Sequence, residues 1–315
     1  MPGVNPFWFR TLFKLKIYQI SGNEFQKLFE QTMQYHNPEF QVVKPHGNLG
    51  DGGNDGWIPT ENRYFQVNGP QATSSTEATK TAKKATDDFE KLKNKWGLIE
   101  FYHFVFNDRY EGIPTPIGQQ LKKLQTQNDQ LKESTPWGAA KLEHIFMQLA
   151  DDQKEMIVGG IPSDTPSFID SRAVGELLSY LADKDTPSMN FLTDTFPDFD
   201  KKIELNGLSS QVRDFIKYFN YQTQTVDDFL AARSLAQAVS MELASFYQES
   251  QQAIPDAAEN APDLRYGWLV EKLIHPQARS HPHSLKAYRE AAQVILAKYF
   301  EVCDVYEHPD NLNPT

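Results

Sequence analysis

Chemistry-bearing residues are densest between positions 47 and 68. In NLGDGGNDG (48–56) four glycines are interleaved with Asp51 and Asp55, and RYFQVN (63–68) follows shortly after. Glycine lets a backbone turn sharply while a carboxylate oxygen faces outward. A strand alternates its side chains between two faces, so Gln66 and Asn68 share one. An acid at the start of one strand and an amide on its neighbour form an oxygen-rich pair, which hard cations such as Mg²⁺ and Mn²⁺ prefer. Asn-Asp-Gly is equally the composition of a plain turn between strands, the simpler reading of local composition alone. Two calcium motifs fail. An EF-hand beginning at Asp51 would have Gly53 at its third position and Asn62 where a bidentate Glu is required. A calcium-binding nonapeptide needs stacked copies, and this segment occurs once.

Other candidates are sparser. Lys80, Lys83, Lys84, Lys91 and Lys95 recur at helical spacing with Asp87, Asp88 and Glu90 among them. Mixed charges of that kind describe a solvated helix with internal ion pairs, the alternative being a phosphate-facing edge. Lys44 and Arg63 flank the glycine-rich turn and could also meet phosphate. His275, His281 and His283 lie among prolines and small residues, as in a surface loop, and His144 falls in an apolar helix as a hydrogen-bonded histidine. Cys303 is the single cysteine, which excludes an intramolecular disulfide framework and any multi-cysteine metal centre. Behind Tyr299 and Phe300 it reads as a small buried hydrophobe. Walker, serine-elbow and dinucleotide signatures are missing.

The elements that must position these residues follow from periodicity. Phe25, Leu28, Phe29 and Met33 make GNEFQKLFEQTMQYH an amphipathic helix ending before Pro38. FQVVKP (40–45) is strand-like. WIPTENRYFQVNGP reads as two strands around a turn near Thr60–Asn62, the first ending close to Pro59. A helix is expected over Ser75–Lys95, a strong strand over LIEFYHFVFN (98–107), and a polar helix over Gln119–Lys132. NPFWFRTLFKLKIY, ahead of the first helix, reads as an irregular arm. After Ser134-Thr135-Pro136 strand-like runs nearly vanish, and helices are expected around 139–149, 172–183, 209–221, 225–249, 265–274 and 284–303. The expectation is an α/β domain over 15–135, a mixed sheet flanked by helices, then an all-α domain over 136–315. Phe191, Phe196, Phe199 and Ile203, in the loop-rich NFLTDTFPDFDKKIEL, either pack a core or present an apolar patch to a partner.

The chain has 315 residues, 39% of them hydrophobic, with 21 Phe, 13 Tyr and 5 Trp, which excludes a fully disordered polypeptide. Its net charge is −11, which argues against a protein that coats nucleic acid. The charge is uneven. Residues 1–150 carry 17 basic and 16 acidic side chains, residues 151–315 carry 14 and 26. A polyanion therefore belongs with the first half and protein partners with the second. Arg10, Lys14 and Lys16 interrupt the apolar N-terminal run, so neither a signal peptide nor a membrane span is expected, and the expected location is the cytoplasm.

The glycine-rich turn followed by an acid, then Gln on the next strand, with a preceding Phe-rich helix, resembles the Mrr-type branch of the PD-(D/E)xK nuclease fold. More closely, GNEFQKLFEQTM, NPEFQVVKPHGNLGDGGNDGW and RYFQVNGPQ are similar to the N-terminal region of proteins of bacterial ABC-three-component defence systems. DKKIELNGLSS (200–210) and AKYFEVCDVYEHPD (297–310) look like signatures of that family's helical C-terminal region. The resemblance implies a restriction-endonuclease-like domain that hydrolyses DNA phosphodiesters with Mg²⁺ or Mn²⁺, and an ABC-type ATPase as partner of the helical domain. Asp55 and Gln66 would hold the metal, with Val67 beside them as a further ligand position. The sequence departs from the pattern where a lysine belongs, at Asn68, and where a helical Glu belongs, at Gln26. Lys80, Lys83 or Lys84 would supply the cation from the next helix, and Glu24 or Glu30 the carboxylate. Cutting two strands would suit a homodimer. The alternative is a subunit that has lost its chemistry and binds nucleic acid or serves as a scaffold.

Overall fold

The computed structural model describes residues 6–44, 52–71, 75–184, 198–233, 235–281, 284–301 and 305–307. The chain forms two compact units, Lys16–Ile157 and Met1–Leu15 with Val158–Thr315.

The Lys16–Ile157 unit is built on a five-stranded mixed sheet in sequential order: β1 (Gln41–Val42), β2 (Gly56–Ile58), β3 (Arg63–Asn68), β4 (Phe101–Phe106) and β5 (Glu133–Trp137). The first three strands pair antiparallel, and β3, β4 and β5 pair parallel. Parallel neighbours require crossovers. These are α3 (Ser75–Trp96) and α4 (Thr115–Gln127), which pack together over one face of the sheet. Tyr64, Tyr102, Phe104 and Phe106 meet Ala85, Phe89, Leu92, Ile117, Leu121 and Leu124 there. On the other face, α2 (Gly22–His36) brings Phe29 against Phe40 and Phe65, and α5 (Ala139–Gln148) packs beside α2. Strand alternation thus sets Tyr64, Gln66 and Asn68 on the α3 side and Phe65 and Val67 on the α2 side.

In the other unit, α13 (Leu285–Glu301) packs against α7 (Ser171–Ala182), α9 (Ser210–Asn220), α10 (Gln224–Arg233) and α12 (Ala261–Leu273). Its Ala291, Ala292, Val294 and Ile295 are wholly buried. Helices α8 (Phe199–Leu205) and α11 (Ala236–Ala253) belong to the same unit. So does the start of α1 (Pro6–Gln19), whose Trp8 stacks on Phe215 at 5.9 Å.

Several elements differ from expectation. The N-terminal stretch is helix α1 rather than an irregular arm. The boundary tripeptide lies within β5, an edge strand in which Pro136 costs no sheet donor on the solvent side. Helix α6 (Asp151–Val158) appears where none was expected, and the single helix over 225–249 is two, α10 and α11. Phe199 sits 5.5 Å from the Phe300 ring and Ile203 is buried, so both pack a core, while Phe191 and Phe196 lie outside the described residues.

Candidate functional site

The turn into β2 is held down backbone to backbone. Gly53 has φ +81°, and a Cβ there would come within 2.2 Å of the Asp88 carbonyl oxygen on α3. Only glycine permits both the left-handed backbone and that approach. The glycines at 52 and 53 are thus explained by packing against α3, as a plain turn would be. Asp51 lies outside the described residues.

Beyond the turn, Gly56 pairs with Phe65, and Asp55, just ahead of β2, is held against the Phe65–Val67 stretch of β3. The backbone N–H of Asp55 donates to the Phe65 carbonyl at 2.9 Å, and its Oδ2 accepts from the Val67 N–H at 2.7 Å. The charge of Asp55 acts on Tyr102, which belongs to the core on the α3 side. Asp55 and Gln66 are 6% and 5% exposed. Gln66 Oε1 is buried and accepts no hydrogen bond, and Asn54 Nδ2, on a wholly buried residue, donates none.

A third polar side chain, Asp88, enters this region from α3. It is 5% exposed on the stripe that includes Ala85 and Leu92. Its Oδ1 accepts from Lys91 Nζ at 2.9 Å, and its Oδ2, which accepts no hydrogen bond, lies 3.4 Å from Lys84 Nζ. Tyr102 connects the two acids. Its hydroxyl donates to the Ala85 carbonyl at 3.1 Å, and burial first, then the charges of Asp88 and Asp55, push its pKa well above the ordinary phenol range. Asp88 was hidden in sequence by the lysines around it. The spacing Ala78, Ala85, Phe89, Leu92 nevertheless places position 88 on the buried stripe, which is a legible signal.

The other expected site residues are distributed differently. Lys84 reaches the cluster through Asp88, whereas Lys80 and Lys83 are exposed on the same helix. Asn68 ends β3 half-buried, and its carbonyl accepts from the Asn107 N–H at 3.0 Å. Glu24 is exposed and pairs with Lys27 at 2.6 Å. Glu30 is bound by Lys44 at 3.0 Å and by Gln26 at 2.9 Å. Both glutamates belong to α2, which covers the sheet face opposite to that of Asp55 and Gln66. Arg63 pairs with Glu61 and lies over the Phe101 ring, so both flanking cations have structural partners.

Among the described residues, no three or more His, Cys, Asp or Glu side chains are grouped to hold a metal. The cluster instead offers two carboxylates and a carboxamide. Two buried oxygens without a hydrogen bond, Gln66 Oε1 and Asp88 Oδ2, form an anionic, oxygen-only donor set, which fits Mg²⁺ or Mn²⁺ chemically.

Two of the candidate histidines have local hydrogen bonds. His275 Nδ1 accepts from the Ala278 N–H at 3.2 Å, capping a 3-10 turn, and the ring borders a cavity of about 810 Å³ with Glu176, Tyr180, Asp183 and Phe229. His144 is exposed and hydrogen-bonded to Gln148 at 3.0 Å. His283 and Cys303 lie outside the described residues. No helix among the described residues is long and apolar enough to cross a membrane.

Residues 172–307 match the family model described as C-terminal domain 10 of the ABC-three component systems. The helical region is similar to that domain. The match supports the chain as a component of an ABC-three-component defence system. No curated protein and no solved structure gives a significant match.

Within the matched C-terminal domain 10 region, the two signature segments meet at one residue. Asn206 Nδ2 donates to the Glu307 carbonyl at 3.0 Å, and its Oδ1 accepts from the Glu307 N–H at 2.9 Å and from the Tyr247 hydroxyl at 3.2 Å. Asn206→Ala is expected to destabilise the helical unit by about 1–3 kcal/mol, with Asn206→Asp intermediate because it keeps the acceptors. Urea denaturation checks this, and equal midpoints for all three proteins would contradict it.

Proposed function

We propose that Lys16–Ile157 is a restriction-endonuclease-like module of the PD-(D/E)xK type that hydrolyses DNA phosphodiester bonds with Mg²⁺ or Mn²⁺. The C-terminal domain 10 region would receive a protein partner of the system, an ABC-type ATPase, and two copies would serve two-strand cutting. The reading is carried by one observation: Asp55, ahead of β2, accepts from the Val67 N–H on β3 of a mixed sheet, next to Gln66, whose Oε1 is buried and lacks a hydrogen bond. Asp55 and Gln66 would hold the cation. A bound divalent ion lowers the pKa of its water and offsets charge on the phosphate. Asn68 carries no charge, so positive charge comes from Lys84, which Asp88 draws toward the site.

A second reading, a nucleic-acid-binding or scaffold subunit without chemistry, is favoured by the burial of the same residues. At 5–6% exposure, Asp55 and Gln66 leave a phosphodiester little access.

Cleavage of single- and double-stranded DNA by the purified full chain, with Mn²⁺ and with a chelator, separates the two. The nuclease reading expects metal-dependent scission that Asp55→Ala abolishes, with Asp55→Asn as the variant that best preserves the fold. DNA binding without scission, or full cleavage by Asp55→Ala, contradicts it.

A further inference from the structure

We infer that Asp88 of α3 completes a divalent-cation site with Asp55 and Gln66. The inference rests on reading those two residues as oxygen donors and adds a ligand from a different element. Three observations converge on it. First, Asp88 stands on the sheet-facing stripe of α3 at 5% exposure, where a carboxylate is costly unless its charge is compensated. Second, Gly53 lies backbone to backbone against Asp88, which brings the segment carrying Asp55, two residues later, to the same turn of the helix. Third, Gln66 Oε1 is an independent buried acceptor with no donor, on the α3 side and one residue before Val67, whose N–H donates to Asp55. A buried oxygen without a hydrogen bond calls for an ion or a water.

Lys84 and Lys91 pair with Asp88 from exposed stems. Lys84 and Lys91 side chains are 48% and 61% exposed, while the Asp88 side chain is 6% exposed. Their ammonium groups approach from the solvent side on flexible stems. Two carboxylates and one carboxamide leave the rest of an octahedron to water, as is usual for Mg²⁺ and Mn²⁺.

Mn²⁺ titration of the full chain, with free Mn²⁺ followed by electron paramagnetic resonance, tests this without needing activity. One ion per chain is expected, with affinity at least tenfold weaker in Asp88→Asn and in Asp55→Asn. Lys84→Met is expected to bind at least as tightly as wild type, because it removes a neighbouring positive charge. Should Asp88→Asn fold poorly, hydrogen exchange of the wild-type chain decides. Mn²⁺ should slow exchange in both the β2–β3 segment and residues 84–92, and slowing confined to β2–β3 overturns the inference. Wild-type affinity in Asp88→Asn, alongside lost affinity in Asp55→Asn, overturns Asp88 as a ligand and leaves the nuclease reading standing. Mn²⁺ bound through all three residues without DNA cleavage keeps the site and removes the nuclease reading. An absence of Mn²⁺ binding overturns both.

Discussion

Replacing Arg289 with methionine is expected to destabilise the helical unit by about 3–5 kcal/mol, the cost of breaking a buried ion pair from one side. Arg289 is 2% exposed. Its Nε donates to Glu271 Oε1 at 2.6 Å, and its two terminal nitrogens donate to the carbonyls of Gly160 and Val158 at 2.6 and 2.9 Å. One planar guanidinium therefore ties α13 to α12 and to the 158–160 segment. Methionine fills similar volume but leaves two carbonyls and a carboxylate without those donors. Although burial opposes ionisation of Glu271, the charges of Arg289 and then Arg279 outweigh it and hold its pKa at about 2. Glu271→Gln should cost less, since Arg289 keeps both carbonyl acceptors. In the double variant Arg289→Met/Glu271→Gln the loss should fall well short of the sum of the two single losses, because no buried charge is left uncompensated. Urea denaturation of the three variants, with hydrogen exchange on α12 and α13 to localise the loss, checks the series. Strict additivity would show that the pair is not coupled.

The same region shows what sequence conveys. Helices with one apolar stripe were legible to within a few residues: α2 through Phe25, Leu28, Phe29 and Met33, and α9 through Val212, Phe215, Ile216 and Phe219. Helix α1 was not. Trp8, Phe9, Leu12, Phe13, Leu15 and Ile17 are all buried, so apolar residues occupy every side and no period stands out. Strand β5 was hidden for a different reason. Glu133-Ser134-Thr135-Pro136-Trp137 has little strand propensity, and it is a strand because β4 offers it a parallel ladder.

At the candidate site, an acid ahead of one strand and an amide on its neighbour could be read from the glycine-rich turn and the strand that follows it. Asp88 could not be placed there by local charge pattern, because Lys84 and Lys91, at i−4 and i+3, make it look like one more member of a solvated ion-pair helix. Burial distinguishes it, and burial is a property of the stripe rather than of the neighbours. Glu24 and Glu30 are set apart by the sheet face their helix covers, Glu30 being buried as well. Helical spacing made them available, but α2 packs on the Phe65 face.

His103 gives the Lys16–Ile157 unit an acid limit. Wholly buried on β4, its ring packs against Phe65 and Trp137 at 5.3 and 4.7 Å. Arg63 Nη1 can only donate, so His103 Nε2 accepts, and Nδ1–H donates to Thr135 Oγ1 at 2.9 Å, whose hydroxyl in turn donates to Glu133 Oε1 at 3.0 Å. A proton on Nε2 would face the guanidinium. Burial, then the charges of Arg63 and Lys141, lower the His103 pKa from 6.5 to about 3, against the opposing carboxylate of Glu133 at 4.0 Å from Nδ1. The folded chain therefore binds fewer protons than the unfolded chain between about pH 6.5 and pH 3. Stability from this group is complete above the upper value and is lost as pH falls toward the lower one. At about 1.4 kcal/mol per pH unit the loss approaches about 5 kcal/mol, enough to rival the whole stability of a small domain. His103→Gln retains a polar side chain beside Arg63 and Thr135 but does not titrate. It should be less stable than wild type at pH 7 and should lose markedly less stability between pH 7 and pH 4. Urea midpoints at both pH values, with hydrogen exchange reporting β3 and β4, measure the difference. Parallel pH curves for the two proteins would show that His103 is not the group that sets the acid limit.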